Sequence, residues 1–501
     1  MDLVDRYLNK FTMYRLLVYV LSIYAGLSVV FAFLGRLSST PTQLVLSLLL
    51  LVASAYVTDR VFGRLFHVPT NMESSLITAL ILFLIVQPAH SIMGGVALAL
   101  AGVVSSASKF LITWNGKHLF NPAAFAAALL SLTGLQATTW WVGSSLFWPF
   151  TLLLGLLVVR KIRRFPLWLT FVAVSIVLQI LQFSAQHQGL GGDLKHALLA
   201  SPLIFLSTIM LTEPATMPPR RNLQIIFAAM VAVLYVYAWK LGPITLYPEV
   251  ALLLGNLFAF AVSPKFRVRL HLKEVQKISD RVYNYVFQPE RRFAFLPGQY
   301  MEWTLGDVPY DNRGNRRTFT IASSPTESEV HLGLKFYEPA STFKAELERL
   351  RPGDSIYASQ LAGNFTIKGH EKRKLAFIAG GIGITPFRSM VKYLTDQGQP
   401  VDVLLLYAAG DPREFAYLEE FKAARQVGIR TVPIVTTTSQ QSANYLTAQL
   451  DADLLVKLVP DYAERTFYVS GPITMVDATK QHLRQIGVSA RRIKTDHFAG
   501  Y

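Results

Sequence analysis

Charge falls along this chain in two regimes, and that division constrains the fold more than any single motif. Up to about Ser263 the sequence is a series of apolar runs with short charged breaks, whereas from Lys265 onward charge returns at ordinary soluble density. Only 16% of all residues are charged, against roughly a quarter in soluble domains. A helix needs about 20 apolar residues to cross the hydrocarbon core of a bilayer. The candidate runs are Phe11–Leu34, Gln43–Val57, Ser75–Val86, Ile92–Leu111, Pro122–Leu132, Ser144–Val159, Pro166–Phe183, Ala197–Leu211, Leu223–Trp239 and Pro248–Val262. The expectation is a polytopic α-helical membrane domain of about ten spans over residues 1–264, followed by soluble domains.

Several runs are short and interrupted by proline, as at Pro122 and Pro214. Broken helices persist in a membrane only where protein or a cavity covers them, and they occur in inverted repeats. With the N-terminus inside, the junctions after every second run carry Arg60, Arg64, Lys117, Arg160, Lys161, Arg163, Arg164, Arg220 and Arg221, while the opposite loops carry Arg36, Lys195 and Lys240. That bias places the C-terminal half in the cytoplasm. The first run lacks a small-residue cleavage site after it and reads as a retained span. The formal charge of +16 follows from the same loop bias. No basic patch with interleaved aromatics accompanies it, so nucleic acid is not expected as a partner. The chain has no cysteine, which excludes disulfides, thiolate chemistry and Cys-ligated iron–sulfur clusters.

From residue 266 the hydrophobic period changes to alternation. Val268–Leu272, Val282–Phe287, Tyr300–Thr304, Thr318–Ile321 and His331–Phe336 read as short strands of an antiparallel β-barrel spanning residues 265–370. After the charged stretch Lys368–Lys374 the rhythm becomes strand and helix: Leu375–Ala379, a helix from Pro386, Val403–Tyr407, a helix near Arg413–Ala424, Thr431–Val435, a polar connector, and Thr466–Val469 before a last helix. This predicts a parallel α/β domain over 371–501 with a nucleotide site at the carboxyl edge of its sheet.

Arg317, Thr318, Phe319 and Thr320 place a cation, a ring and a hydroxyl on one strand, the groups that grip phosphate, stack on a ring and bond its edge. Pro297-Gly298-Gln299-Tyr300 lies upstream, Ser323 follows, and Ser341-Thr342 opens a helix whose free amides suit a pyrophosphate. Ala379-Gly380-Gly381-Ile382-Gly383-Ile384-Thr385-Pro386 joins an apolar strand to a helix with Pro386 at its start. In this order the segments resemble the ferredoxin–NADP reductase family, with its Arg-x-Tyr-Ser/Thr flavin strand and Gly-Gly-x-Gly-x-Thr-Pro nucleotide loop.

The resemblance implies an FAD module reduced by NADH or NADPH. Arg317 and Thr342 would hold the FAD phosphates, Phe319 (in place of Tyr) would stack on the isoalloxazine, and Thr320 would lie near its N5. Gly380, Gly381, Gly383, Thr385 and Pro386 would form the nucleotide loop, and Ser470-Gly471-Pro472 stands where the family has Cys-Gly-Pro beside the nicotinamide. The ending Asp496-His497-Phe498-Ala499-Gly500-Tyr501 resembles that of some members. There Phe498 would cover the second flavin face and Asp496 would approach the reactive edge. Asp411, after Val403–Tyr407, favours a free ribose and therefore NADH, with Arg413 nearby as the opposing feature.

In the apolar half, Ser74–Leu84, Lys117–Ala127 (with Asn121-Pro122) and Leu211–Pro218 (with Thr212-Glu213-Pro214) resemble the membrane-protein family shared by the Rnf complex and the sodium-pumping NADH:quinone reductase. Asn121 and Thr212 are the flavin-site candidates there. That family attaches FMN to a threonine in Ser-Gly-Ala-Thr. Here the stretch reads Gly134-Leu135-Gln136-Ala137-Thr138, so a non-covalent FMN is expected rather than attachment at Thr138. The readings are a membrane flavoprotein passing electrons to a quinone or an extracytoplasmic acceptor, a haem-type transmembrane reductase, and a redox-sensing transporter or channel. The histidines His67, His90, His118, His187 and His196 sit near run ends rather than paired in mid-span, which speaks against haem. No metal site is expected.

Overall fold

In a computed structural model the chain forms two compact units, Val4–Arg267 and Val268–Tyr501, the latter grouped with Met1–Leu3. The structure describes residues 3–8, 11–66, 70–114, 117–185, 195, 198–237, 240–241, 244–245, 247–264, 267–306, 315–337, 340–371, 373–437 and 444–498. His67, His187, His196 and the final residues 499–501 lie outside these.

The first unit is helical. Among the described residues four helices are long and apolar enough to cross a membrane: Met13–Phe33, Pro41–Leu65, Ile92–Leu111 and Phe165–Ser184. Shorter apolar helices are Met72–Ile85, Pro122–Thr133, Arg221–Tyr237 and Pro248–Val262. Their starts follow from local chemistry. Thr40 accepts from the Gln43 amide while the Gln43 side chain accepts from the Thr40 amide, and Pro41 follows at the first helical position. Thr12, Asn71, Ser91 and Asn121 cap the helices after them, each cap contributing about 1 kcal/mol. Close packing depends on small residues: a Cβ on Gly102 would lie 3.0 Å from Leu51 O, and Ser106 Oγ donates to Ala55 O across the same helix pair at 2.9 Å. The run Ala197–Leu211 differs most from expectation. Where its residues are described it holds helical Leu198 and Leu199, then the short helix Leu203–Phe205, then a π-turn over Leu206–Met210. The wider turn leads straight into Thr212 and Pro214, where proline cannot continue the ladder.

The second unit holds two six-stranded sheets. The first is antiparallel and curled, ordered Arg316–Thr320, Tyr300–Thr304, Ser355–Ala362, Val268–Lys277, Val282–Pro289 and Val330–Lys335. Alternation is the right signal for Val268–Lys277, whose first residues alternate buried and exposed. Ser355–Ala362 is a strand that the sequence pattern does not predict. Its small polar residues hide the alternation, and a bulge between Ser359 and Ala362 shifts the register.

The second sheet is parallel throughout, ordered Leu446–Thr447, Ile429–Val435, Val403–Ala409, Leu375–Gly380, Thr466–Pro472 and Ile493–Phe498. Strands buried on both faces need continuous apolar runs, and every residue of Leu375–Gly380 and Val403–Ala409 is buried. The order reverses at Leu375–Gly380, the position where α/β sheets open a crevice. One expectation is corrected. The helix near Arg413–Ala424 is split into a 3-10 turn, Pro412–Glu414, and a helix, Leu418–Ala423, because Tyr417 between them sits at φ 62°, outside the right-handed helical region. The terminal segment is an edge strand paired with Thr466–Pro472.

Candidate functional site

In the antiparallel sheet, Arg317 and Phe319 lie two residues apart on one strand, so both side chains leave the same face. Both meet Phe343. The Arg317 guanidinium lies 5.2 Å from the Phe343 ring centre, and the Phe319 and Phe343 rings are 5.8 Å apart. Phe343 is 1% exposed and belongs to the Thr342–Arg349 helix, whose first turn Ser341 caps by accepting from the Lys344 amide. Strand and helix thus converge, bringing a guanidinium, a ring and a helix N-terminus together. Sequence reasoning passes over Phe343 because an aromatic in an amphipathic helix reads as ordinary core. Thr320 is 4% exposed and pairs with Tyr300, and Ile321 N–H donates to Gln299 O at the Pro297–Tyr300 turn. Ser323 stands apart: its hydroxyl accepts the His331 amide and its carbonyl accepts the Ser389 hydroxyl.

At the carboxyl edge of the parallel sheet, glycines let three chain segments touch. A Cβ on Gly383 would lie 2.5 Å from Gly471 Cα, and one on Gly471 would lie 3.1 Å from Gly380 backbone atoms. Gly381 adopts φ +52° with nothing within 4 Å of the Cβ position, so its backbone faces open space. Thr385 and Pro386 begin the helix Thr385–Gln397 directly behind it. Ser470 and Pro472 lie on the neighbouring strand. The Ser470 hydroxyl is buried and has no hydrogen-bond partner among the described residues, which costs stability unless a ligand completes it. A nicotinamide carboxamide offers the donor and acceptor that would do so. The glycine-walled cleft, the helix N-terminus and this hydroxyl therefore fit a dinucleotide, and the Arg317–Phe343–Ser341 cradle fits a flavin with a pyrophosphate.

Asp496 is paired in register with Ser470, and the backbone of Phe498 with that of Pro472. The Phe498 side chain lies outside the described structure. Asp411 accepts from Arg413 Nε at 3.0 Å and Nη2 at 2.7 Å, and these bonds hold the Asp411 carboxyl down to about 2. The two opposing nucleotide-selecting charges therefore engage each other.

In the helical unit, Asn121 is 3% exposed, accepts the Ala124 amide and donates to Glu213 Oε2 at 2.8 Å. Thr216 donates to the same oxygen, and Asn256 bonds both the Asn121 amide and Thr216 O. Thr212 is fully buried and donates to Thr208 O. Asn121 and Glu213 of the two proline-broken segments are thus bonded to each other. Thr138 donates to Glu249 at 2.7 Å. His90 bonds Ser39 at 3.5 Å and His118 lies in the two-residue strand Lys117–His118. Among the described residues no group of three or more His, Cys, Asp or Glu is placed to hold a metal.

Residues 377–481 match the model of the oxidoreductase NAD-binding domain family. The stachydrine N-demethylase reductase subunit Stc4 of Rhizobium meliloti is 29% identical over 210 residues, covering 41% of this chain and 59% of that protein. The glycine betaine monooxygenase reductase subunit of Chromohalobacter salexigens is 25% identical over 233 residues, covering 45% of this chain and 62% of that protein. The C-terminal half carries an oxidoreductase module of the ferredoxin–NADP reductase type. Its nucleotide-binding part is residues 377–481. This chain spans about 60% of the length of those two relatives. Among solved structures, the flavohaem-like FAD/NAD-binding domain of nitric oxide dioxygenase from Vibrio cholerae is 21% identical, covering 46% of this chain and 98% of that one, with a TM-score of 0.41.

Proposed function

We propose that this chain is a multi-pass membrane flavoprotein oxidoreductase, with three parts at 1–264, 265–370 and 371–501, that oxidises a nicotinamide nucleotide on the cytoplasmic side and passes the electrons into its own helical unit. The observation that carries the reading is the union on one chain of the Arg317–Phe319–Phe343 cradle, the glycine-walled cleft ending at Ser470, and helices long and apolar enough to cross a bilayer. Bound FAD accepts two electrons as hydride and releases them one at a time, which suits transfer from a nucleotide to a one-electron path. Around it the chain's own residues do the positioning. Arg317 and the Ser341–Thr342 helix start bind phosphate, Phe319 and Phe498 cover the ring faces, Thr320 and Asp496 bond its reactive edge, and Gly380–Pro386 with Ser470–Pro472 orient the nicotinamide.

Asp411 favours NADH by occupying Arg413, the cation that a 2′-phosphate would need. The relatives are named as reductase subunits, and a reductase subunit hands its electrons to another component. In this chain the helical unit takes that place, delivering to a quinone or an extracytoplasmic acceptor, with a non-covalent FMN between the segments of Asn121 and Thr212 as the intermediate carrier. Leu49, Val57, Leu153, Leu169 and Leu181, each more than half exposed, suit contact with lipid.

The test is cofactor extraction from detergent-purified protein. The reading expects FAD and a second flavin, both released by acid. A Soret band in place of flavin absorption would overturn it.

A further inference from the structure

Between the flavin strand and the nucleotide loop lies a buried polar joint that neither cofactor cradle uses. Arg388 sits one turn into the Thr385–Gln397 helix, its side chain 6% exposed. Its guanidinium reaches out of the α/β part to the chain that continues the flavin strand. Nη1 and Nη2 both bond the Glu327 carboxylate, the latter at 3.0 Å, and Nη1 also donates to Ala322 O at 3.3 Å. Glu327 in turn accepts the Ser324 amide at 2.6 Å, closing the turn that follows Thr320 by only a few residues. The adjacent Ser389 hydroxyl donates to Ser323 O at 2.6 Å. Two consecutive residues of one helix thus hold three consecutive residues, Ala322, Ser323 and Ser324, directly or through Glu327.

The surrounding packing leaves this joint little room to slide. A Cβ on Gly333 of the antiparallel sheet would lie 2.5 Å from Tyr417 Oη and 2.8 Å from Thr385 Cγ2. One on Gly298 would lie 2.5 Å from Met390 Cε. Tyr417 is held in its left-handed conformation with its hydroxyl 3.4 Å from Asn284 Oδ1 and its ring under Arg388. Glu420 pairs with Arg388 Nε at 2.9 Å and accepts from Nη2 at 3.4 Å, both from within the α/β part, and so does not cross the joint. A bidentate carboxylate fork fixes both distance and orientation, which a point contact does not.

We propose that Arg388 and Glu327 are positioning residues for hydride transfer, tying the nucleotide loop to the flavin strand so that the nicotinamide meets the flavin in register without a closing motion. The proposal rests on the reading of the module as a nucleotide-to-FAD reductase. Its logic is geometric: the tie runs five residues from Gly383 at one end and two residues from Thr320 at the other. Displacement of about 1 Å between reacting groups costs on the order of 100-fold in rate.

The test uses the full-length, FAD-loaded chain in detergent, with NADH and ferricyanide. For Glu327→Gln and Arg388→Met, kcat is expected to fall roughly 10- to 100-fold, while KM for NADH stays within about threefold, since neither side chain lies in the nucleotide cleft. The long-wavelength absorbance of nicotinamide stacked on oxidised flavin should weaken in the same variants, a readout that loss of mere stability does not move. Arg388→Lys should recover only part of both, because it lacks the fork. Glu420→Gln, which removes an ion pair to the same guanidinium without cutting the tie, should leave kcat and the absorbance within about twofold of wild type. Equal loss in Glu420→Gln and Glu327→Gln, or unchanged kcat and absorbance in Glu327→Gln, would overturn the proposal. If Arg388→Met does not fold, the Glu327→Gln and Glu420→Gln pair decides alone. Wild-type protein that holds FAD but is not reduced by NADH would instead count against the underlying reading.

Discussion

Glu327 is partly buried and Glu249 is fully buried, and the two units satisfy these carboxylates in opposite ways. In the reductase unit Glu327 meets a guanidinium and a backbone amide. In the helical unit Glu249 is fully buried, and neutral groups bond it: Ser131 at 3.0 Å, Thr138 at 2.7 Å and Trp140 Nε1 at 2.9 Å. Asn121 and Thr216 treat Glu213 in the same manner. The reductase unit balances charge with charge across a joint between two sheets, where a fork supplies orientation. At Glu249 and Glu213 the helical unit instead uses neutral donors from loops and helix ends, which hold the packing of broken segments in an apolar setting, while its Glu73 pairs with Arg15 at 3.4 Å. We infer separate roles for Glu327 and Glu249: the Arg388–Glu327 tie serves the geometry of the reductase module, while the bonds to Glu249 hold irregular backbone of the helical unit together.

The largest effect should come from the flavin cradle. Arg317→Ala is expected to lower NADH:ferricyanide activity at least 100-fold, on the order of the loss when a positioned charged contact is removed, with flavin content falling alongside. The melting of the helical unit should not change. If both units lost stability together, the separation of roles would fail. Glu249→Leu should do the reverse. It leaves the Ser131 and Thr138 hydroxyls only each other to bond and the Trp140 indole without its acceptor, which destabilises the helical unit by about 3 kcal/mol. Thermal unfolding in detergent measures this, and NADH:ferricyanide activity at a temperature below the transition should hold.

His331 sharpens the reductase side. Burial, followed by the charge of Arg388, pushes its imidazole down to about 4. The unfolded chain then takes up the proton first, near 6.5. The stability contribution is complete above that value and is lost as the pH falls towards 4, by roughly 3 kcal/mol. Unfolding of the reductase unit between pH 7 and 4 should therefore steepen on the acid side, and His331→Gln should flatten that slope. The smallest effect is on specificity. Asp411→Ser releases Arg413 for a 2′-phosphate, so kcat/KM for NADPH relative to NADH should rise about tenfold. An unchanged ratio would place nucleotide selection elsewhere.

What the sequence made legible differs between the units for physical reasons. In the parallel sheet a strand buried on both faces must be apolar throughout, so Leu375–Gly380 and Val403–Ala409 announce themselves, and the glycines at 380, 381 and 383 mark the turn between strand and helix. Arg317, Phe319 and Ser341 could be named because their segments, in this order, resemble the flavin strand and helix start of the ferredoxin–NADP reductase family. Phe343 and Arg388 could not, since their meaning lies in partners distant along the chain: Arg317 and Phe319 for one, Glu327 for the other. Tyr417 shows a different gap, where a tertiary contact with Asn284 and Arg388 overrides the local helical preference of its segment. In the helical unit the apolar runs located helices, but hydropathy is blind to a π-turn. The bonds from Asn121 to Glu213 and from Thr138 to Glu249 connect residues too far apart for any periodicity to reveal.

The central claim is that the C-terminal half holds FAD where a nicotinamide nucleotide reduces it. Anaerobic titration of the purified full-length chain with NADH, followed at the flavin absorption maximum, tests this most directly. The account predicts bound flavin that bleaches with about one NADH per FAD, and no such bleaching in Arg317→Ala. Protein that binds no flavin, or whose bound flavin stays oxidised under excess NADH and NADPH, would contradict it.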